Sequence, residues 1–581
     1  MTKKLLTLCL SILILLSKII LSQEVIELKE IVVTATKLPS KLKNLPYTIT
    51  IITQEDIKKA SLKTLGELLS KKGILVQSYG GFGALQSPSI RAGKADQILF
   101  LLDGVRINEP QQGGFDLSCI PLSWVKRIEI IKGPISSHWG QDACSGVINI
   151  ITKEKTTFSL SAGDKNCRNI SGSICKNFPN LKLVLACGYK QADNWRKNAE
   201  LFYQNDILAK LTHYFKGLST TLGFNRLDKR KGCPGKINKP KLKDWQKDLQ
   251  NRYSFKLNYK DFVNLNLFYN DYLRKFWDEE KKELDKHKKY VTSGEIKFSL
   301  PINENLSYGF GLDWREDKVD STKVKIHNRI CKSCYLQGLY NSKFIDASVS
   351  CRYDKIGKEK AITMNQGFAL KLSKDDILKM NWGLGFRAPT FDDLYWPKTA
   401  WAEGNPNLKP EKIKEFNISY SKFGHFSICY FKKFADNLID WFKFPDKIWR
   451  PCNINKAEIE GCEFEMNTKL TDWFSISSNY SHYLPIDKEK KEFIKDQLKA
   501  LFNISYNIDF GQVWANIHTK HVEKYQDIKY KITDLVIGYK DIFTLRINNI
   551  FDEEYQDIKG YPGVPRSVFF EINFNPDYST N

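Results

Sequence analysis

Two hydrophobic periodicities divide the chain near Lys155. Beyond it, apolar residues recur at every second position. Phe416, Ile418 and Tyr420 alternate with Asn417, Ser419 and Ser421; Phe543, Leu545 and Ile547 with Thr544, Arg546 and Asn548; Phe570, Ile572 and Phe574 with Glu571 and Asn573. Residues 263–267, 308–312 and 347–353 behave alike, and turns rich in Asn, Asp, Lys and Gly separate the segments. Successive strand side chains point to opposite faces, so each segment predicts a strand with one apolar and one polar face. Between Thr53 and Lys155 the pattern is mixed and predicts a small α/β domain. Thr53, with Asp56 three residues on, predicts the start of a short helix, and Ser61 the start of a second that ends at Gly73. Residues 98–102 read as a buried strand. Asp103-Gly104 reads as a two-residue hairpin turn into 105–107, because that turn needs positive φ at both central positions. Further strands are predicted over 125–131 and 147–151.

At the N-terminus, Lys3 and Lys4 precede an uncharged stretch over 5–17, followed by Lys18 and then Leu21-Ser22-Gln23-Glu24. That is the order of a secretory leader, cut after Ser22, and the stretch is shorter than the ~20 residues of a membrane-spanning helix. The chain is therefore expected to be exported. Its 581 residues carry a net charge of +23 and a mean hydropathy of −0.40. A bundle of membrane-spanning helices, which needs repeated apolar runs of ~20 residues, is excluded. Disorder is excluded too, since 13% of residues are aromatic and such side chains belong in buried or interfacial places.

The strand-rich part is longer than a two-sheet sandwich normally holds, whereas a membrane barrel closes its own edges and grows by adding hairpins. A plugged barrel of ~22 strands allots roughly 19 residues to each strand and its connection, which accommodates spanning strands of ~9 to 11 residues. Apolar positions would face lipid and the alternate polar ones a wet lumen, which reconciles negative hydropathy with membrane residence. The expected fold is a transmembrane β-barrel of about 22 antiparallel strands, with the N-terminal α/β domain as a plug inside its lumen.

Specific words in the sequence carry a resemblance. Ser89-Ile90-Arg91, the run from Ile98 through Asp103-Gly104 to Asn108, Val125-Lys126-Arg127-Ile128-Glu129 through Gly133-Pro134, Trp139-Gly140, and Gly146 to Thr152 resemble the plug domain of TonB-dependent outer-membrane receptors. Gly385-Phe386-Arg387-Ala388-Pro389-Thr390 and Gly404-Asn405-Pro406 through Glu411 are similar to the internal box of that family's barrel, and Asn548-Asn549-Ile550-Phe551-Asp552 to its penultimate-strand signature. The resemblance covers nearly the whole mature chain and implies a signal peptide over 1–22, a TonB box and linker over 23–44, a plug over 45–155 and a barrel over 156–581. It places the protein in the bacterial outer membrane.

Glu30, Ile31, Val32, Val33, Thr34 and Ala35 look like the family's TonB box. The implied partner is TonB with its inner-membrane energising complex, which a β-prone peptide can meet by adding as a strand; alone, the same stretch reads as a first plug strand. Tyr79 and Phe82, in a glycine-rich loop, and Asn108, Gln111 and Gln112 match positions that line the ligand site in related receptors. Their alternative reading is as turn residues chosen for conformation. Neutral amides suit a large ligand with peripheral amides, and the plug wording is nearest the cobalamin receptors, as is Gly232-Cys233-Pro234-Gly235. Arg91, Arg127 and Glu129 are expected to hold the plug to the barrel through charge pairs, or else to be solvated on a small domain. Phe574 stands where related barrels end on an aromatic residue, although 575–581 follow it.

Other ligands and classes are separated by particular residues. Haem receptors of the family use a histidine between the two boxes, and 386–408 contains none. A ferric siderophore could meet the basic run Arg226, Lys229, Arg230, Lys231, Lys236, Lys239, Lys241 and Lys243, which equally suits a solvated face or anionic lipid and lipopolysaccharide. No nucleic-acid motif accompanies the positive charge. The acidic calcium loops of cobalamin receptors are not evident, and no cofactor or structural metal is expected. Cys331 and Cys334 read as loop residues, open to a local disulfide, rather than half of a zinc site. No Gly-x-Ser-x-Gly or His-Glu-x-x-His word indicates an enzyme. A passive porin needs neither plug nor coupling peptide, so a monomeric transport receptor is the expected function.

Overall fold

The computed structural model describes residues 32–33, 37–38, 40–42, 45–60, 64–193, 196, 199, 201–422, 424–494, 497–525 and 527–576. The leader over 1–22, and Glu30, Ile31, Thr34 and Ala35 of the expected TonB box, lie outside them, as does Ser61.

The N-terminal domain opens with strand β1 (Thr48–Ile52) and helix α1 (Gln54–Ala60). Thr53 starts the helix by a reciprocal cap: its Oγ1 accepts from the Asp56 amide at 3.2 Å, while Asp56 Oδ2 accepts from the Thr53 amide at 2.8 Å. Helix α2 (Leu65–Lys71) is capped by Thr64, whose side chain accepts from Glu67 N at 3.2 Å, and not by Ser61. A cap accepts from amides two or three residues on, and for a helix beginning at Leu65 only the residue just before it has that reach. Lys72 follows the helix, and Gly73 at φ 80° ends it. Strand β2 (Ile98–Leu102) is buried along its whole length. It turns through Asp103 (φ 50°) and Gly104 (φ 78°) into β3 (Val105–Arg106), the paired positive φ of the predicted hairpin. With β4 (Val125–Lys132) and β5 (Gly146–Thr152) they form one sheet in the order β1-β4-β5-β2-β3, in which only β2 and β5 run parallel. Leu65, Leu68 and Leu69 of α2 pack on Ile98, Phe100, Ile128, Ile130, Ile148 and Ile150 of the sheet as one buried core.

The rest of the chain is a closed antiparallel barrel of 22 strands. Its first strand, Thr157–Gly163, pairs with its last, Ser567–Phe574, which closes the wall and leaves no sheet edge. The alternation seen in the sequence is realised: Val568, Phe570, Ile572 and Phe574 are exposed on the outer face. Inward positions are polar and buried against the plug, among them Gln204, Asn225, Lys289, Arg352 and Glu415. Connections at one rim are short turns such as 216–217, 260–262 and 540–542; at the other rim they include 233–244, 388–410 and 549–566. Short turns mark the periplasmic side of such barrels and long loops the extracellular side. Cys331 and Cys334 lie within the strand Lys325–Asn341 rather than in a loop. Three residues apart in a strand they face opposite ways, one buried and one exposed, and both are free thiols.

Candidate functional site

Buried ion pairs join the plug to the barrel. Arg91, in the left-handed region at φ 49°, is wholly buried, with Nη1 2.5 Å from Glu415, Nη2 2.9 Å from Glu463 and its guanidinium over the Phe431 ring. Burial opposes its charge, but Glu463 and Glu415 outweigh that and hold its pKa well above the usual value. Lys433 Nζ donates to the Arg91 carbonyl at 2.9 Å, and Lys132 lies 3.4 Å from Glu463. Arg127 and Glu129 are joined to each other along β4 at 2.8 Å, and Asn149 of β5 donates to Glu129.

The two barrel boxes meet the plug at a second cluster. Arg387 reaches Asp96 at 2.9 Å and Glu411 at 2.7 Å, and Gln97 Nε2 donates to Glu411 at 2.7 Å. Desolvation raises the Asp96 carboxyl to about 6 against the pull of Arg387. Gly385 is required by proximity, since a Cβ there would sit 3.0 Å from Cys144 Cα of the plug. On another side Asp116 receives Lys229 at 3.1 Å and Lys231 at 3.7 Å. Burial works against its carboxylate, but the two lysines and the Ser118 hydroxyl bring its pKa down to about 2. The basic run is thus not one charged stretch. Strand alternation turns Lys229 and Lys231 inward to Asp116, while Arg230 stacks on Trp245. Plug His138 sits in a neutral cluster with Ser137, Ser350 and Tyr47, and burial pushes it down to about 3.

Between the plug and three neighbouring strands, Trp245–Tyr259, Val263–Asp278 and Glu283–Pro301, lies a cavity of about 260 Å³ on the side of the extracellular loops. The plug contributes Glu109, Pro110 and Gln112; the wall contributes Gln250, Arg252, Asn270, Tyr272, Arg274 and Lys289. Lys289 and Arg274 both pair with Glu109, and Arg274 also with Asp248 at 2.9 Å. Arg252 differs: its guanidinium donates to the amides of Asn225 and Gln250 and lies over Phe115, and no carboxylate pairs with it among the described residues.

The residues expected to bind ligand divide sharply. Gln112 is exposed at the cavity, its Oε1 accepting from Arg274 Nη1 at 3.0 Å. Asn108 lines the same cavity, but its amide is fully engaged inside the plug: Oδ1 accepts from Phe100 N at 2.7 Å, and Nδ2 donates to the carbonyls of Ile98 and Gly113 at 2.9 and 2.8 Å. Its side chain shapes the loop and is not available to a ligand. Gln111 is buried as a tie to the loop 388–410, with Nε2 donating to Asp392 Oδ1 at 2.8 Å and lying 3.3 Å from His287. Tyr79 meets Tyr561 edge-on, and Phe82 meets Phe569 edge-on, both at the extracellular rim. The close approach allowed by Gly83 is to Phe202 of the barrel. Arg252, Arg274, Lys289 and His287 were not anticipated, because only the strand register shows which polar residues face inward. Among the described residues no group of three or more His, Cys, Asp or Glu side chains is arranged to hold a metal ion.

This arrangement has counterparts. Residues 41–147 match the TonB-dependent receptor plug domain, and residues 189–550 match the TonB-dependent receptor-like β-barrel. The chain belongs to the TonB-dependent receptors. The receptor is 27% identical over 93% of its length to 94% of a vitamin B12 transporter of Photobacterium profundum, and 26% identical over 95% of its length to 96% of one from Vibrio vulnificus. In fold it superposes on the FrpB iron transporter of Neisseria meningitidis with a TM-score of 0.77 at 13% identity, covering 92% of this chain and 99% of that one. On the siderophore receptor PirA of Acinetobacter baumannii the TM-score is 0.76 at 15% identity, covering 90% and 98%. The family consists of outer-membrane receptors and transporters rather than enzymes.

Proposed function

We propose that this receptor binds cobalamin or a related corrinoid at the cavity between Gln112 and Arg252 and imports it with work delivered through TonB. The observation that carries this reading is the chemistry of the cavity wall. Gln112, Gln250 and Asn270 present amides, and beside them stands one guanidinium, Arg252, held only by neutral groups. A corrinoid offers peripheral amides and a single phosphodiester, which suit such a wall. The cavity takes one edge of so large a ligand, with the remainder among the extracellular loops. The full-length likeness to vitamin B12 transporters supports the same reading.

For coupling, Val32–Val33 pairs antiparallel with Ser40–Lys41 through only two residues, Val32 opposite Lys41 and Val33 opposite Ser40. So short a ladder exchanges readily for a longer one with an external strand. Ligand that shifts the plug apex biases that exchange, and a pull then disturbs the plug. A second reading, an anionic ferric chelate, draws on Arg252 and on the shared fold of the iron and siderophore receptors.

The test is to incubate the purified receptor separately with cyanocobalamin, a ferric siderophore and haem and to measure which co-elutes. Cyanocobalamin is expected to, with Arg252→Gln weakening it about tenfold or more. Co-elution of the ferric siderophore or haem in its place overturns the ligand assignment.

A further inference from the structure

A groove of about 680 Å³ lies on the outer wall of the barrel, on the opposite face of the strands that also line the plug cavity: Tyr253 and Tyr269 outside adjoin Arg252 and Asn270 inside. Leu211, Leu222, Tyr253, Leu267, Tyr269 and Trp314 line it, all exposed on the outer face. Gly294, which shares that face as the register partner of Leu267, deepens the groove: a Cβ there would meet only Leu267, at 3.1 Å. Leu211 is five residues from Lys216, so about 16 Å along the strand and about 12 Å in depth once a tilt of ~45° is allowed for. The groove therefore begins within the periplasmic half of a ~30 Å hydrocarbon layer.

Two hairpin turns stand at its periplasmic end and touch each other. Lys260 N donates to the Gly217 carbonyl at 2.9 Å, and the stem of Lys260 lies over Gly217. Lys216 (φ 44°) and Lys260 (φ 47°) occupy left-handed backbone positions. Lysine holds left-handed positions at other turns as well, Lys282, Lys325 and Lys540 among them, so what sets these two apart is the contact between their turns. Each ammonium lies 5.5 Å from the ring of the residue before it, Phe215 and Tyr259, and both rings are exposed at the interface level. The nearby acid in these turns, Asp261, accepts from Asn258 Nδ2 at 2.6 Å.

We propose that the groove and the Lys216–Lys260 pair form a binding site for one anionic glycerophospholipid of the periplasmic leaflet. Its phosphate sits between the two ammonium groups and one acyl chain lies in the groove. Aromatic rings at headgroup depth and paired cations above an apolar channel match the two halves of such a lipid. A zwitterionic lipid of the same chain length would gain the groove and lose most of the charge attraction.

The test uses the full receptor in mild detergent, titrated with phosphatidylglycerol or phosphatidylcholine of equal acyl length and read by native mass spectrometry. The first phosphatidylglycerol is expected to bind at a concentration at least tenfold below that of phosphatidylcholine. Lys216→Asn with Lys260→Asn, which suits the backbone and removes the charge, should erase that preference. Gly294→Leu should weaken both lipids. Lys540→Asn alters a similar Tyr-Lys turn (φ 49°) away from the groove and should change neither. Equal binding of the two lipids by the unaltered receptor, or an effect of Lys540→Asn equal to that of the double variant, overturns the proposal. The folded state of each variant is checked by its heat-dependent gel mobility.

Discussion

Asp116→Asn isolates the electrostatic part of the plug–barrel contact. The amide keeps the size of the side chain and an oxygen that can still accept from Gln86 N and Ser118 N, both 3.1 Å from Oδ1. What it loses is the charge facing Lys229 and Lys231. The carboxyl is depressed from 3.8 to about 2 in the folded receptor, a difference worth about 2 kcal/mol at neutral pH. The sign follows from a folded pKa below the unfolded one: the stabilisation is complete above the unfolded value near 4 and is lost as pH falls through the folded value of about 2. Hydrogen exchange of the backbone amides around Leu117–Cys119, read by mass spectrometry, reports the local opening. At pH 7 Asp116→Asn should speed exchange there by about 30-fold relative to the unaltered receptor, the factor that corresponds to about 2 kcal/mol. At pH 2, where the folded carboxyl is still half ionised, the ratio should fall to about two. An equal ratio at both pH values would show a packing defect instead of a lost charge pair, and no change at pH 7 would show that the Asp116 charge does not hold the plug to the wall.

Other perturbations test other parts of the account. Arg91→Gln leaves Glu415 and Glu463 buried with only lysines to compensate and should cost about 3 to 5 kcal/mol of plug docking, measured as a lower urea midpoint for plug opening and as greater leakage of large antibiotics through the barrel. Val33→Pro removes a ladder donor, so ligand accumulation should stop while surface binding persists; equal loss of both would remove the coupling role from that segment. A Cβ at Gly104 would meet no atom within 4 Å, so the cost of Gly104→Ala should be the conformational ~1 to 2 kcal/mol of a left-handed residue, seen as a lower plug unfolding midpoint with ligand affinity unchanged.

Local chemistry was readable in the sequence wherever a backbone demand selected the residue. The Asp103-Gly104 turn, the Thr53 cap and the strand Ile98–Leu102 are found where their residue types require them. The barrel followed from period-two alternation repeated over most of the chain. Long-range partners were not readable. Asn108 resembles a ligand donor until its amide is seen bridging Phe100, Ile98 and Gly113. Arg387 lay inside a recognised motif, yet its pairing with Asp96 depends on how the plug is rotated in the lumen. Lys229 and Lys231 looked like part of one charged surface run because a sum over neighbours hides the inward and outward faces of a strand. Thr64 took the cap expected of Ser61 because helix α2 begins later than the residue pattern suggested.

Energy-coupled uptake through a plugged barrel requires TonB for accumulation but not for binding. The most direct measurement follows labelled cyanocobalamin into cells that carry the receptor, with and without functional TonB. Surface binding in both strains is expected, with accumulation only where TonB works; accumulation that continues without TonB would rule out energy coupling through this plug.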